Sequence, residues 1–159
     1  MRDLPEAPPL PRSLGEIGLA NYAPYLMNRI MGRYNASLRA EMARLGLTTP
    51  KMRALAVLSV IDRPLIRELA VYAVVEQSTL SRALDGLVAE GLARREADPQ
   101  DSRGTRVTIT DEGRVAFERL WPHMAAAHER MFRGIPDEER RAVVATLQKV
   151  LANIRRHEF

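Results

Sequence analysis

Gln77, Ser78, Thr79, Ser81 and Arg82 bring amide, hydroxyl and guanidinium groups into one short stretch, and Asp101 and Arg103 set a carboxylate and a guanidinium two residues apart further on. These groups donate and accept hydrogen bonds, but none is an activated nucleophile or a matched acid and base. The 159-residue chain has no cysteine, which excludes disulfides, thiolate chemistry and sensing by cysteine oxidation. His123 and His128 lie five positions apart, about 140° round a helix, so they share no face, and His128-Glu129 lacks a zinc-protease spacing. No Gly-rich phosphate loop or nucleophile elbow occurs. Carboxylates cluster only as Asp111-Glu112 and Asp137-Glu138-Glu139, where helix starts account for them. The reading predicts no enzyme, no metal and no cofactor, and leaves recognition by hydrogen bonds and charge.

The elements that position those groups follow from periodicity. Leu80, Ala83, Leu84, Leu87 and Val88 recur at three- and four-residue spacing and share one helix face. Ser78, Ser81, Arg82, Asp85 and Ala89 fall opposite, with Gln77 and Thr79 flanking the first turn. A face of small hydroxyls and one arginine lets a flat surface come close. Gly91 stops the helix. Leu92 to Ala97 is a short strand candidate, residues 98–104 have turn composition, and Thr105 to Thr110 alternates, with Val107 and Ile109 on one side and Arg106, Thr108 and Thr110 on the other. A helix followed by an arginine-bearing hairpin makes a winged helix, whose helix fits the major groove of DNA while the hairpin tip reaches the neighbouring minor groove. On this reading Gln77, Ser78, Ser81 and Arg82 meet base edges or phosphates. Thr79 and the free N–H groups of the first turn hold phosphate. Arg94 or Arg95 supports the wing stem, Arg95 being counted with the DNA-binding set. Arg103 enters the minor groove, and Asp101 restrains its guanidinium through a charge-assisted hydrogen bond.

QSTLSRALDGLVAEGLARR, DPQDSRG and VTITDEG, taken together at this spacing, resemble the core signature of the MarR-type regulators (multiple antibiotic resistance regulators). The Asp101-x-Arg103 tip and the Thr110-Asp111-Glu112-Gly113 helix start are its sharpest parts. The resemblance implies a homodimer, a pseudo-palindromic double-stranded DNA operator, and a small, often aromatic effector held in an apolar cleft between dimerisation helices and the reader. Tyr22, Tyr25, Met27, Met31 and Met52 are loose candidates for lining that cleft; no effector-binding residue is assigned. The implied function is a sequence-specific DNA-binding transcriptional regulator, a repressor released by its effector. The alternative is a winged-helix module that binds protein and not DNA.

The fold expected is mainly α with a small β-hairpin wing. Residues 1–13 form a Pro-rich arm, and residues 14–159 a single domain. Within it, 14–48 and 111–159 are dimerisation helices and 49–110 the winged-helix core. Leu14 to Leu45 reads as one long helix that Pro24 either kinks or truly starts. Thr49 is the expected cap of a helix ending near Asp62, and Pro64 opens a third helix, Leu65 to Ala73. The turn at Ala73-Val74-Val75 lacks glycine, so it is expected to form without left-handed backbone. Thr110 caps a helix running towards Phe132 that Pro122 should bend or split. Pro136 opens the last helix, with Arg155, Arg156 and His157 at its negative end and Val143, Val144, Leu147, Val150, Leu151 and Ile154 on its apolar face.

The formal net charge is +4, but it is not concentrated in the reader. Residues 1–48 carry 6 basic and 4 acidic groups, residues 49–110 carry 9 and 8, and residues 111–159 carry 9 and 8. Placement of individual arginines, not bulk charge, therefore carries the DNA reading. With no apolar run near membrane-span length and no charged-then-apolar leader layout, the expectation is a cytoplasmic protein.

Overall fold

The computed structural model describes Leu10 and residues 13–158, so the Pro-rich arm expected over 1–13 lies almost wholly outside the described residues. The chain divides into two compact units, one ending at Ser37 and one beginning at Leu38.

In the first unit, the expected continuous helix is broken. Ser13 Oγ accepts from Glu16 N–H and caps a short α1, Leu14–Ile17. Gly18, at φ 76°, ends it, and a 3-10 turn follows at Leu19–Asn21. α2 then runs from Ala23 to Arg44, its last turns from Leu38 onward belonging to the second unit. Pro24 sits in the first turn of α2, where a missing N–H removes no helical bond, so it marks a start and not a kink. Leu26, Ile30 and Met31 on α2 are exposed.

The second unit holds the winged helix. α3 spans Thr49–Leu58, and its cap is Thr48, one residue before the expected Thr49; Thr48 Oγ1 accepts from Lys51 N–H. α4 spans Ile66–Ala73, α5 spans Gln77–Ala89, and the antiparallel pair β1 (Ala93–Ala97) and β2 (Thr105–Ile109) forms the wing. A bridge from Leu65 to Arg106 and a bond from Val107 N–H to the Pro64 carbonyl tie the entry to α4 onto β2. Leu55, Leu69, Leu80, Leu84, Leu87, Leu120 and Val107 are fully buried. Each contributes roughly 2 kcal/mol, more than a helix cap at about 1 kcal/mol, so packing is what sets α5 against α3 and α4. Val88, grouped with the α5 core by spacing, lies at its edge and is 37% exposed.

α6, Asp111–Met131, continues through Pro122 without splitting. α7 spans Asp137–Ile154 and has no buried residue; its predicted apolar face, Val143 to Ile154, is open. Arg155 is its C-cap, which puts the terminal basic residues just past the last turn. Arg140 on α7 pairs with Glu129 of α6 through Nη1 and Nη2, at 3.0 and 2.6 Å.

The turn between α4 and α5 departs from the sequence expectation. Val74 is left-handed, at φ 52° and ψ 49°. Val75 N–H reaches the Ala70 carbonyl at 3.1 Å and Val74 N–H the Val71 carbonyl at 3.2 Å. This is the double closure that Gly91 makes after α5, where Leu92 N–H meets the Leu87 carbonyl and Gly91 N–H that of Val88. Val74 is held there from outside: Arg53 on α3 donates to its carbonyl at 3.0 Å. The strain is accessible to measurement. A β-branched residue in this region costs about 1–3 kcal/mol, while the entropy lost with glycine costs only about 0.5–1 kcal/mol. Val74 is 77% exposed, so little packing is at stake. Val74→Gly should therefore raise stability by about 1 kcal/mol in urea unfolding; a lower midpoint would show that the turn is unstrained.

Candidate nucleic-acid interface

α5 presents Gln77, Ser78, Ser81 and Arg82 as exposed residues and Thr79 as half-buried. Its N-cap, Glu76, makes no side-chain cap bond, which leaves the first-turn N–H groups available to an anion. The wing is fixed to this helix by Arg95. Its Nη1 pairs with Asp85 at 2.6 Å and its Nη2 donates to the Ser81 carbonyl at 3.0 Å. Of the two arginines named for the stem, Arg95 is the one bonded to α5, through Nη1 and Nη2 but not through its buried Nε, while Arg94 stays exposed.

The wing base is locked by residues that periodicity did not single out. Asp98 is buried; it accepts from Arg106 Nε at 3.1 Å and from Gln100 N–H at 3.2 Å. The Arg106 hydrogen bond holds its carboxyl below the ordinary range, with the Gln100 N–H adding to the effect, so Asp98 stays charged. Arg106 also donates to the Arg63 carbonyl at 2.7 Å, and Arg63 pairs with Glu96 at 3.0 Å. Arg106 thus faces the wing base and not open solvent, because a charged acceptor buried there binds it.

At the tip, Asp101 does something other than expected. Its Oδ1 accepts from the backbone N–H of Arg103 at 2.9 Å, and Gly104 N–H closes onto the Asp101 carbonyl at 2.9 Å. No ion pair to the Arg103 guanidinium exists among the described residues. A short carboxylate two residues upstream meets the nearer N–H group first, as aspartate does in turns. Asp101 therefore shapes the loop and leaves the guanidinium free.

Gln77, Ser81 and Arg103 come together. With Leu65, Ile66, Arg67, Gly104 and Thr105 they line a groove of about 260 Å³ between α4, α5 and the wing tip. Ser78, Thr79 and Arg82 belong to α5 outside that lining. Arg67, absent from the sequence reading, is the addition. Its signal was a cation in the first turn of a helix, where the macrodipole disfavours positive charge.

A second cavity, about 380 Å³, opens between α3 and α6. Ala56, Ser59, Val60, Arg114, Phe117, Glu118, Trp121 and Met124 line it. Phe117 and Trp121 lie 6.3 Å apart between ring centroids, and Arg114 donates to the Ser59 carbonyl at 3.3 Å. Of the residues suggested for an effector cleft, Met52 is buried core, while Tyr22, Tyr25, Met27 and Met31 belong to the first unit. Neither cavity gathers metal ligands; no group of three or more potential ligands occurs among the described residues.

The sequence profile of the MarR family matches residues 45–104. A crystal structure of a MarR-family transcriptional regulator from Silicibacter pomeroyi is 65% identical, covers 93% of this chain and 100% of its own, and superposes with a TM-score of 0.89. The chain belongs to the MarR family. This MarR-family regulator is also similar to the HTH-type transcriptional repressor IacR of Pseudomonas putida, at 25% identity over 130 residues, or 82% of this chain and 78% of the relative. CouR from Rhodococcus jostii, solved bound to p-coumaroyl-CoA, is 26% identical with a TM-score of 0.73 and covers 84% of this chain and 94% of its own. The profile match contains α3 to the wing tip and every lining residue of the groove except Thr105. No described helix is long and apolar enough to cross a membrane.

Proposed function

We propose that this chain is a homodimeric repressor that reads a pseudo-palindromic operator and releases it when a small aromatic ligand enters the cavity between α3 and α6. The convergence of Gln77, Ser81 and Arg103 on one groove carries the reading: a helix face and a hairpin tip, tied by Arg95 and Asp98, suit a helix in the major groove with the tip at the neighbouring minor groove. Gln77, Ser78, Ser81 and Arg82 meet base edges or phosphates, Thr79 and the uncapped first turn hold phosphate, and Arg103 enters the minor groove. Arg95 acts through position, not contact.

The exposed Leu26, Ile30 and Met31 of α2 and the open apolar face of α7 support the dimer. An amphipathic helix with nothing on its apolar side needs a partner, and a second copy gives the two-fold symmetry that palindromes require. For the effector, the cavity volume falls in the small-ligand range of about 300–1,000 Å³, with Phe117 and Trp121 to stack and Arg114 to meet a negative group. CouR, a relative, holds an aromatic acyl thioester. α3 connects the cavity to the reader: Ala56 and Ser59 line the cavity, while Arg53 grips the turn before α5 and Lys51 pairs with Glu90 at its end. A ligand that displaces α3 therefore shifts both ends of the reader.

Duplex binding should weaken by roughly a thousandfold between about 50 and 200 mM salt, because phosphate contacts release counterions. Titration of a labelled duplex across that range checks it. Affinity indifferent to salt, or tight binding to a protein partner with none to duplex, would favour the interaction-module reading.

A further inference from the structure

We propose that Arg67 is a DNA-positioning residue of this regulator, holding the backbone phosphate beside the minor groove that Arg103 enters. The inference rests on the regulator reading and extends it to a residue that neither the helix-face pattern nor the wing motif identifies.

Several arginines around the wing are committed. Arg63 pairs with Glu96, Arg95 with Asp85, and Arg106 with Asp98. Arg67 and Arg103 have no ion pair and no side-chain hydrogen bond among the described residues. They come from different elements, α4 and the wing tip, yet line the same groove, and no carboxylate lines it with them. Asp101, the nearest candidate to neutralise Arg103, is turned onto the backbone N–H of Arg103. Two like charges lining one groove without a counter-charge are unfavourable in the free protein, and the DNA polyanion removes that cost. The remaining polar lining suits the same ligand: Gln77 and Thr105 supply an amide and a hydroxyl, and Ser81 a second hydroxyl, against an apolar floor of Leu65 and Ile66. A phosphate offers acceptor oxygens in several directions, so the Arg67 guanidinium fork and the neutral donors of the groove can share it. Arg67 also stands in the first turn of α4, where its own charge opposes the macrodipole and a bound anion would compensate it.

The geometry also separates Arg67 from the base-reading set. It belongs to the helix before the reader and not to the base-facing helix, so it grips a backbone phosphate between the two DNA grooves. Phosphate contacts fix register and carry no sequence information. Its loss should therefore weaken all duplexes alike.

The test uses wild type, Arg67→Ala, Arg67→Lys, Arg103→Ala and the double alanine variant. Each is titrated, across a salt series, on a duplex selected by wild type from random sequence and on one of unrelated sequence. Arg67→Ala should lose about tenfold in affinity on both duplexes, with the slope of log affinity against log salt shallower by about one. Arg67→Lys should keep the slope and recover part of the affinity. Arg67 on a phosphate and Arg103 in the minor groove meet different parts of the DNA, so the double variant should lose about the product of the single losses. Thermal melts should fall for none of the variants, since both side chains are exposed. Unchanged affinity and slope for Arg67→Ala, a loss confined to the selected duplex, or a double variant no weaker than Arg103→Ala would overturn the phosphate role of Arg67 while leaving DNA binding intact. A wild type that binds neither duplex would overturn the regulator reading and the phosphate role with it.

Discussion

Gly113→Ala should destabilise this protein by about 3 kcal/mol, at the upper end of the overpacking range. A Cβ at that position would stand 2.0 Å from the Leu92 carbonyl oxygen, 2.8 Å from Ile109 Cγ1 and 3.0 Å from the Leu92 carbonyl carbon. The first of these is backbone and cannot swing aside. The Leu92 carbonyl is held by Thr110 N–H at 3.1 Å, and Thr110 in turn donates its hydroxyl to the Gly91 carbonyl at 2.7 Å and accepts from Gly113 N–H at 3.0 Å. This is the physical content of the Thr110-Asp111-Glu112-Gly113 motif: the threonine caps α6 and staples it to the end of α5, and the glycine lets the helix lie directly on the chain leaving α5. Gly32→Ala on α2 is the control. Nothing lies within 4 Å of its added Cβ, so alanine there should stabilise by about 0.5–1 kcal/mol through helix propensity. Urea unfolding of both variants measures the contrast, and a loss at Gly113 no larger than a few tenths of a kcal/mol would mean that α6 is free to shift away from Leu92.

Arg103→Ala should cost about 1–3 kcal/mol of DNA affinity and leave stability unchanged, since the exposed tip lies outside the core. The correction at Asp101 sharpens this expectation. The carboxylate spends itself on the loop, so the guanidinium enters a narrow groove with its full charge and all its donors. Arg103→Lys should restore the charge without the planar, weakly hydrated head that suits a narrow minor groove, and should recover only part of the loss. Competition titrations of the three proteins on one duplex at fixed salt decide it. Equal affinities would place the wing tip away from DNA.

Much of this was legible in the residues because the signals were local and redundant. The α5 face (Val88 at its edge excepted), the alternation of Val107 and Ile109 in β2, the Thr110 cap and the Gly91 stop each depend on neighbours within a few positions, and each stands as read. The departures have two causes. Some concern helix ends: Thr48 caps in place of Thr49, and Gly18 interrupts the expected first helix, because several competent cap and break residues lie side by side. Others concern contacts between distant segments. Val74 adopts left-handed backbone that its own type resists, aided by Arg53, 21 residues earlier in the chain. Asp98 and Arg106 meet across the wing, and Arg106 reaches the Arg63 carbonyl, 43 residues away. Arg67 joins the groove only because α4 folds against the wing. No periodicity within one element reports such meetings.

The central claim is that two copies of α5 and the wing read DNA as a symmetric pair. Selection of bound duplexes from a random pool by the full chain tests it most directly. The account predicts enrichment of a pseudo-palindrome whose half-sites lie about one helical turn apart, roughly 10 bp. Recovery of a single asymmetric half-site bound by a monomer, or no enrichment over the starting pool, would contradict it.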